Sequence, residues 1–180
     1  MQRLLLALGL ALVCGVQAAT VLQPVEELNL QKVAGTWHSV AMAARDISLL
    51  DSETGPLRVY VQELSPTPEG NLEVILSKRE DGRCVQKKVM AEKTELPAEF
   101  KINNLDETQL SVLDTDHENY LIFCMENTDA PGERLVCQCL TRTLKADKKV
   151  LEKFNRALQT LPVHIWLVFD LTQGAEQCRV

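Results

Sequence analysis

From residue 37 onward the chain alternates apolar and polar positions in short segments, broken by turn residues at roughly dozen-residue intervals, the pattern of successive β-strands. Residues 57–63 read LRVYVQE, with Leu57, Val59 and Val61 on one face and Arg58, Tyr60 and Gln62 on the other. The SPTPEG run that follows breaks the strand. Residues 72–78, 84–90, 100–103, 109–113, 120–125 and 134–140 repeat the alternation, and with residues 37–43 in front they make eight strands. Their connections are of hairpin length, so the expected fold is all-β and up-and-down antiparallel, with the eight strands losing their exposed edges by closing into a barrel. A barrel of that size has room for one small ligand. An immunoglobulin-like sandwich would carry a Cys, Trp, Cys spacing that this sequence does not have.

After the strands the period changes. Val150, Leu151, Phe154 and Leu158 recur at three and four, which predicts one C-terminal amphipathic α-helix with Asp147 near its start, ended before Pro162. A ninth strand over residues 164–169 and a polar tail with Cys178 complete the chain. No internal repeat or long interior linker divides it, so residues 19–180 are read as a single domain.

Residues 1–18 have a different character: one early positive charge at Arg3, an apolar block, and small residues up to Ala18. This is the layout of a secretory signal peptide, and export would place the protein in an extracellular, oxidising setting. Cys14 would leave with it, and Cys84, Cys124, Cys137, Cys139 and Cys178 would remain, an odd number that implies two bridges and one thiol. The hairpin around NTDAPG sets Cys124 against Cys137 across a strand pair, with Cys139 one same-face position out of register. That leaves Cys84 to bond Cys178 and Cys139 as the free thiol, shielded under the helix.

Composition narrows the partners. The 180 residues are 46% hydrophobic and carry 19 Lys plus Arg against 25 Asp plus Glu, a net charge of -6 with no basic cluster. Nucleic acid is therefore not an expected partner. The longest apolar run, near the start, is too short for a membrane span. No cofactor or metal is expected: Cys137 and Cys139 are separated by a single residue, and His38, His117 and His164 are scattered. Neither a Ser, His, Asp constellation nor a carboxylate pair can be argued from spacing, so the chain is not read as an enzyme.

The alternation itself suggests a ligand. Lys78 shares the parity of Leu72, Val74 and Leu76, and Lys87 that of Val85 and Val89, and the intervening turn puts the two lysines roughly opposite each other at one end of the apolar face. Like charges across a strand pair need compensation, which the carboxylate of a bound ligand would supply; equally, both stems could be buried with the heads in solvent at the barrel rim. The expected lining is Leu57, Val59, Leu72, Val74, Leu76, Val89, Ile102, Leu110, Phe123 and Met125, residues that would serve equally as plain core.

Three short motifs carry a resemblance. Gly35-Thr36-Trp37 at the first strand, Asp114-Thr115-Asp116 between two later strands, and Arg142 after the eighth together resemble the lipocalin family, in which the Trp closes the barrel base and the Arg stacks on it. The resemblance runs over essentially all of residues 19–180. It implies a secreted carrier of retinol and long-chain fatty acids, as in whey lipocalins, with Lys78 and Lys87 at the mouth. It also implies a gate at Glu107, a buried carboxyl with a raised pKa that opens the barrel on ionisation; without the resemblance Glu107 is an exposed loop acid beside Asp106. A rival within the family is a reproductive-tract member with an immunomodulatory or cell-surface role, for which the absence of any Asn-X-Ser/Thr sequon removes the glycan route. Asp51 and Arg58 match positions of a family homodimer, but Trp166 alters the strand that would complete it, so monomer and homodimer both stay open. His117 stands where Tyr is usual.

Overall fold

The computed structural model describes residues 22–50, 55, 57–103, 108–128, 133–162, 164–165, 167–172 and 178. The leader 1–18, Asp51, Glu107 and Trp166 lie outside them. A short turn of helix, α1 (Leu30–Val33), leads into β1 (Gly35–Thr36) and β2 (His38–Ala44). There follow β3 (Tyr60–Pro66), β4 (Leu72–Glu80), β5 (Arg83–Lys93), β6 (Glu99–Ile102), β7 (Thr108–Thr115), β8 (Tyr120–Asn127), β9 (Val136–Thr141), the helix α2 (Lys148–Gln159) and β10 (Leu167–Asp170). The strands form one antiparallel sheet in the order β1-β3-β4-β5-β6-β7-β8-β9-β2-β10.

The expected first strand, residues 37–43, is β2, and a two-residue strand, β1, precedes it. Gly35 at φ +101 turns the backbone before Trp37, so that β1 pairs with β3 at one edge while β2 pairs with β9 at the other. One bent stretch of chain thus joins both edges and nearly closes the barrel. At the seam the Trp37 amide donates to the Gln62 carbonyl (2.9 Å) and the Val61 amide to the Ser39 hydroxyl (2.9 Å), replacing ladder bonds that a β2–β3 pair would have made. Ser39 in turn donates to Gln138 Oε1, and Gln138 Nε2 donates to the Val59 carbonyl, both at 2.9 Å. This polar bridge is fully buried, and each of these groups has a partner.

The second strand starts later than its alternation suggests. Arg58 and Val59 donate to the Gly55 and Leu57 carbonyls, which turns residues 57–59 out of the sheet, and β3 begins at Tyr60. Leu57 and Val59 are buried nonetheless.

Two apolar cores follow from period-two strands with one shielded outer wall. The inward cluster takes Met42, Val74, Leu76, Phe123, Val136 and Leu140 among others. The outward one takes Ala43, Ile122, Cys124, Cys137 and Cys139 together with Phe154 and Leu158 of α2. The helix starts at Asp147, whose carboxylate accepts from the Lys149 amide (3.0 Å), as the sequence leads one to expect of an N-cap. Because α2 covers one wall, β8 and β9 are buried on both faces, and this explains why their alternation is the weakest in the chain.

Candidate functional site

The base of the barrel is built by the three sequence motifs. Trp37 is fully buried and its indole N–H donates to the Val33 carbonyl (2.8 Å). The Arg142 guanidinium lies 3.7 Å from the Trp37 ring centroid. It also donates to the carbonyls of Thr36 (2.9 Å), Lys32 (3.0 Å) and Glu118 (3.2 Å), tying α1, β1 and the β7–β8 turn together. A Cβ on Gly35 would sit 3.5 Å from this guanidinium, but its positive φ is the stronger reason for glycine.

In the β7–β8 turn, Asp116 accepts from the amides of Glu118, Asn119 and Tyr120 and from the Asn119 side chain. Burial works against its charge, but these donors win and hold its carboxyl below the usual range. Thr115 donates to the Tyr120 carbonyl (2.7 Å) and accepts from the His117 amide (2.9 Å), while Asp114 accepts from the Tyr120 hydroxyl (3.0 Å). His117 takes a positive φ of 68 in this turn. The motif is therefore a structural clasp, and its acidic residues are occupied.

The expected lining residues lie on five strands, β4 to β8, and on the segment before β3. Leu57, Val59, Leu72, Val74, Leu76, Val89, Ile102, Phe123 and Met125 are all buried in the one inward cluster, and Leu110 packs against it partly buried. Ala91, Phe100 and Val112 belong to the same cluster and were not among the expected lining, although their parity with Val89, Ile102 and Leu110 points to them.

Beyond Leu76 on the inward face, Lys78 and Lys87 are not opposite each other. Asp81 and Gly82, both at positive φ, make a two-residue turn, so Lys78 faces Val85 and Lys87 faces Leu76. The expected pairing had treated residues 79–83 as a longer loop. The tighter turn also extends β4 to Glu80, which falls on the parity of Lys78. Glu80 forms an ion pair with Lys87, with the two side chains 38% and 44% exposed. The hydrogen bond from Lys87 holds the Glu80 carboxyl below its usual range against desolvation, and the fields of Lys87 and Lys78 act in the same direction as the bond. Glu80 is the residue that sequence reasoning missed. It compensates the like charges from within the chain.

Cys84 is bonded to Cys178 and Cys124 to Cys137, and Cys139 is a buried free thiol. The tail at Cys178 is further held by Gln62, whose amide donates to the Cys178 carbonyl and to Ser77. Burial, with repulsion from Asp114 added, pushes the Cys139 thiol from 9.0 up to about 12. It is protonated and inert at neutral pH. Among the described residues no cluster of three or more His, Cys, Asp or Glu could hold a metal ion, and no helix is long and apolar enough to cross a membrane.

An open groove lies outside the barrel, between α2 and the wall, lined by Leu113, Asp114, Lys153, Arg156, Ala157 and Leu161 among others. Lys153, at its rim, donates to the Tyr120 hydroxyl (3.2 Å) and lies over the Tyr120 ring.

Comparison with known proteins agrees with this geometry. Residues 34–175 match the lipocalin / cytosolic fatty-acid binding protein family. The chain is 66% identical to beta-lactoglobulin-2 of Canis lupus familiaris over 155 residues, 86% of this chain and 96% of that one. It is 61% identical to beta-lactoglobulin-2 of Felis catus, covering 90% and 100%, and 59% identical to beta-lactoglobulin-1 of Equus asinus, covering 88% and 98%. Among solved structures, trichosurin, a possum milk whey lipocalin crystallised with bound 4-ethylphenol, superposes with a TM-score of 0.69 at 24% identity, covering 78% of this chain and 97% of that one. With the nearly closed barrel, the Trp37–Arg142 base and the outer helix all in place, this chain belongs to the lipocalin family.

Proposed function

We propose that the protein is a secreted carrier that binds one long apolar molecule inside the barrel, with retinol and long-chain fatty acids as the ligands that fit its chemistry. The observation that carries this reading is the single apolar cluster drawn from β2 to β9 and facing inward, with Lys78 and Lys87 following it at one end of β4 and β5. An aliphatic tail is driven inward by burial at about 25 cal/mol per Å² of apolar surface. A carboxylate head would remain at the rim beside Lys78 and Lys87. Residues 1–18 are proposed as the signal that directs secretion, and the two bridges suit an oxidising compartment. Glu107 is proposed as the gate residue, by its match to the family. Whether the protein acts as a homodimer is part of the same proposal only as far as Arg58 goes: it is held in place by the Leu50 carbonyl (3.1 Å) and the Tyr60 hydroxyl (3.0 Å).

The test is a fluorescence titration with retinol and with palmitate above pH 7. Both ligands should bind at micromolar concentration or tighter; Lys78→Ala should weaken palmitate several-fold and leave retinol unchanged. Glu107→Gln should flatten the pH profile of palmitate binding. Absence of binding by either ligand above pH 7 contradicts the carrier reading.

A further inference from the structure

The mouth of the barrel holds four charged side chains on one face, Lys78 and Glu80 of β4 and Arg83 and Lys87 of β5. Lys78 and Glu80 succeed Leu72, Val74 and Leu76 on the same face of β4, and Lys87 precedes Val89 and Ala91 on the adjoining face of β5. Although Arg83 stands opposite Glu80 in register, Glu80 reaches along the face, past Lys78, to pair with Lys87. No ion pair is formed by Lys78 among the described residues, while Lys88, on the other face of β5, is held by Glu73 (2.8 Å). The two lysines of the mouth are therefore unequal: one is occupied by a carboxylate of the chain, and the other is open.

We propose that Glu80 is a built-in competitor for the anion position at the barrel mouth and so sets which head group the protein prefers. An entering carboxylate meets Lys78 first and can engage Lys87 only by displacing Glu80 or sharing its ammonium. An uncharged head group, such as an alcohol, displaces nothing. Glu80 thus lowers the advantage that two lysines would otherwise give to acids over alcohols of the same tail length. The pair is more than a third exposed, so solvent screens it and the effect is one of selectivity, a few-fold in ratio. This rests on the reading that the barrel binds a long apolar ligand, and it goes beyond that reading by naming the residue that discriminates between head groups.

Palmitate and 1-hexadecanol share one tail and differ in charge, so the ratio of their dissociation constants isolates the head group. Titrations on the whole chain at one ionic strength should show Glu80→Gln binding palmitate about five-fold more tightly, with hexadecanol unchanged. In the unmodified chain Lys78→Ala should weaken palmitate more than Lys87→Ala does, and in the Glu80→Gln background Lys87→Ala should remove the gain. All of these positions are solvent-accessible, and far-UV circular dichroism verifies that each variant folds. If Glu80→Gln leaves the palmitate-to-hexadecanol ratio within two-fold, or if Lys87→Ala costs the unmodified chain as much as Lys78→Ala, the competitor role is overturned while the carrier reading stands. If neither ligand binds the unmodified chain, both are overturned.

Discussion

Trp37→Ala is expected to cost about 3–5 kcal/mol of folding stability, the range for removing a large buried aromatic side chain. Three losses combine in that figure. The indole is fully buried, so its removal leaves a cavity that the surrounding strands cannot fill, because β1 and β2 are held by different neighbours on either side of it. Its hydrogen bond to the Val33 carbonyl, which anchors α1, disappears. The Arg142 guanidinium loses the ring it lies on but keeps its bonds to Thr36, Lys32 and Glu118, so the variant should fold, with its midpoint lowered by roughly 10 °C. Chemical denaturation checks this. A double-mutant cycle with Arg142→Met should assign about 0.5–2 kcal/mol to the ring–guanidinium contact. A loss below about 1 kcal/mol for Trp37→Ala would mean that the barrel base is not closed by this residue.

The second large effect is alkaline. In the unfolded chain the Cys139 thiol ionises near 9.0, whereas in the folded barrel burial and the Asp114 carboxylate hold its proton until about 12. Below pH 9 both states are protonated and the shift costs nothing. Above pH 9 the unfolded state releases a proton that the native state keeps, so stability falls as pH rises, by about 1.4 kcal/mol per unit and by about 4 kcal/mol once pH 12 is reached. Tyr120, whose hydroxyl is raised chiefly by desolvation, adds a slope of the same sign. The Cys139 part is therefore read as the difference between the unmodified chain and Cys139→Ala, from denaturant midpoints at pH 8 to 10.5. Cys139→Ala should lose the steeper alkaline slope. Parallel slopes for the two proteins would contradict the buried, protonated thiol.

The parts of this protein that could be read from residues were those set by local arithmetic. In β8 and β9 the chain pairs without irregularity from Tyr120 to Met125, so counting back from the turn places Cys124 opposite Cys137. The same counting fails by two residues at β4 and β5, because Asp81-Gly82 forms the tightest hairpin turn and not part of a longer loop; that dipeptide is itself the strongest short signal for such a turn. The consequence was functional: a strand ended at Lys78 hides Glu80, and Glu80 alters the electrostatics of the mouth. Other features were out of reach. The break between β1 and β2 depends on two different neighbouring strands, and the bonds from Arg142 go to backbone carbonyls whose positions only the folded chain defines. Ser39 and Gln138 gave a weak sign of themselves as polar residues at inward positions of apolar strands, yet nothing in the alternation tells that they bond each other across the seam.

The central claim is that the ligand lies inside the barrel and not in the groove beside α2. Isotope-filtered nuclear Overhauser measurements on the chain saturated with palmitate test it most directly. The account predicts contacts from the acyl chain to the methyl groups of Val74, Leu76, Val89 and Ile102, all in the inward cluster. Contacts confined to Leu113, Ala157 and Leu161, which line the outer groove, would contradict it.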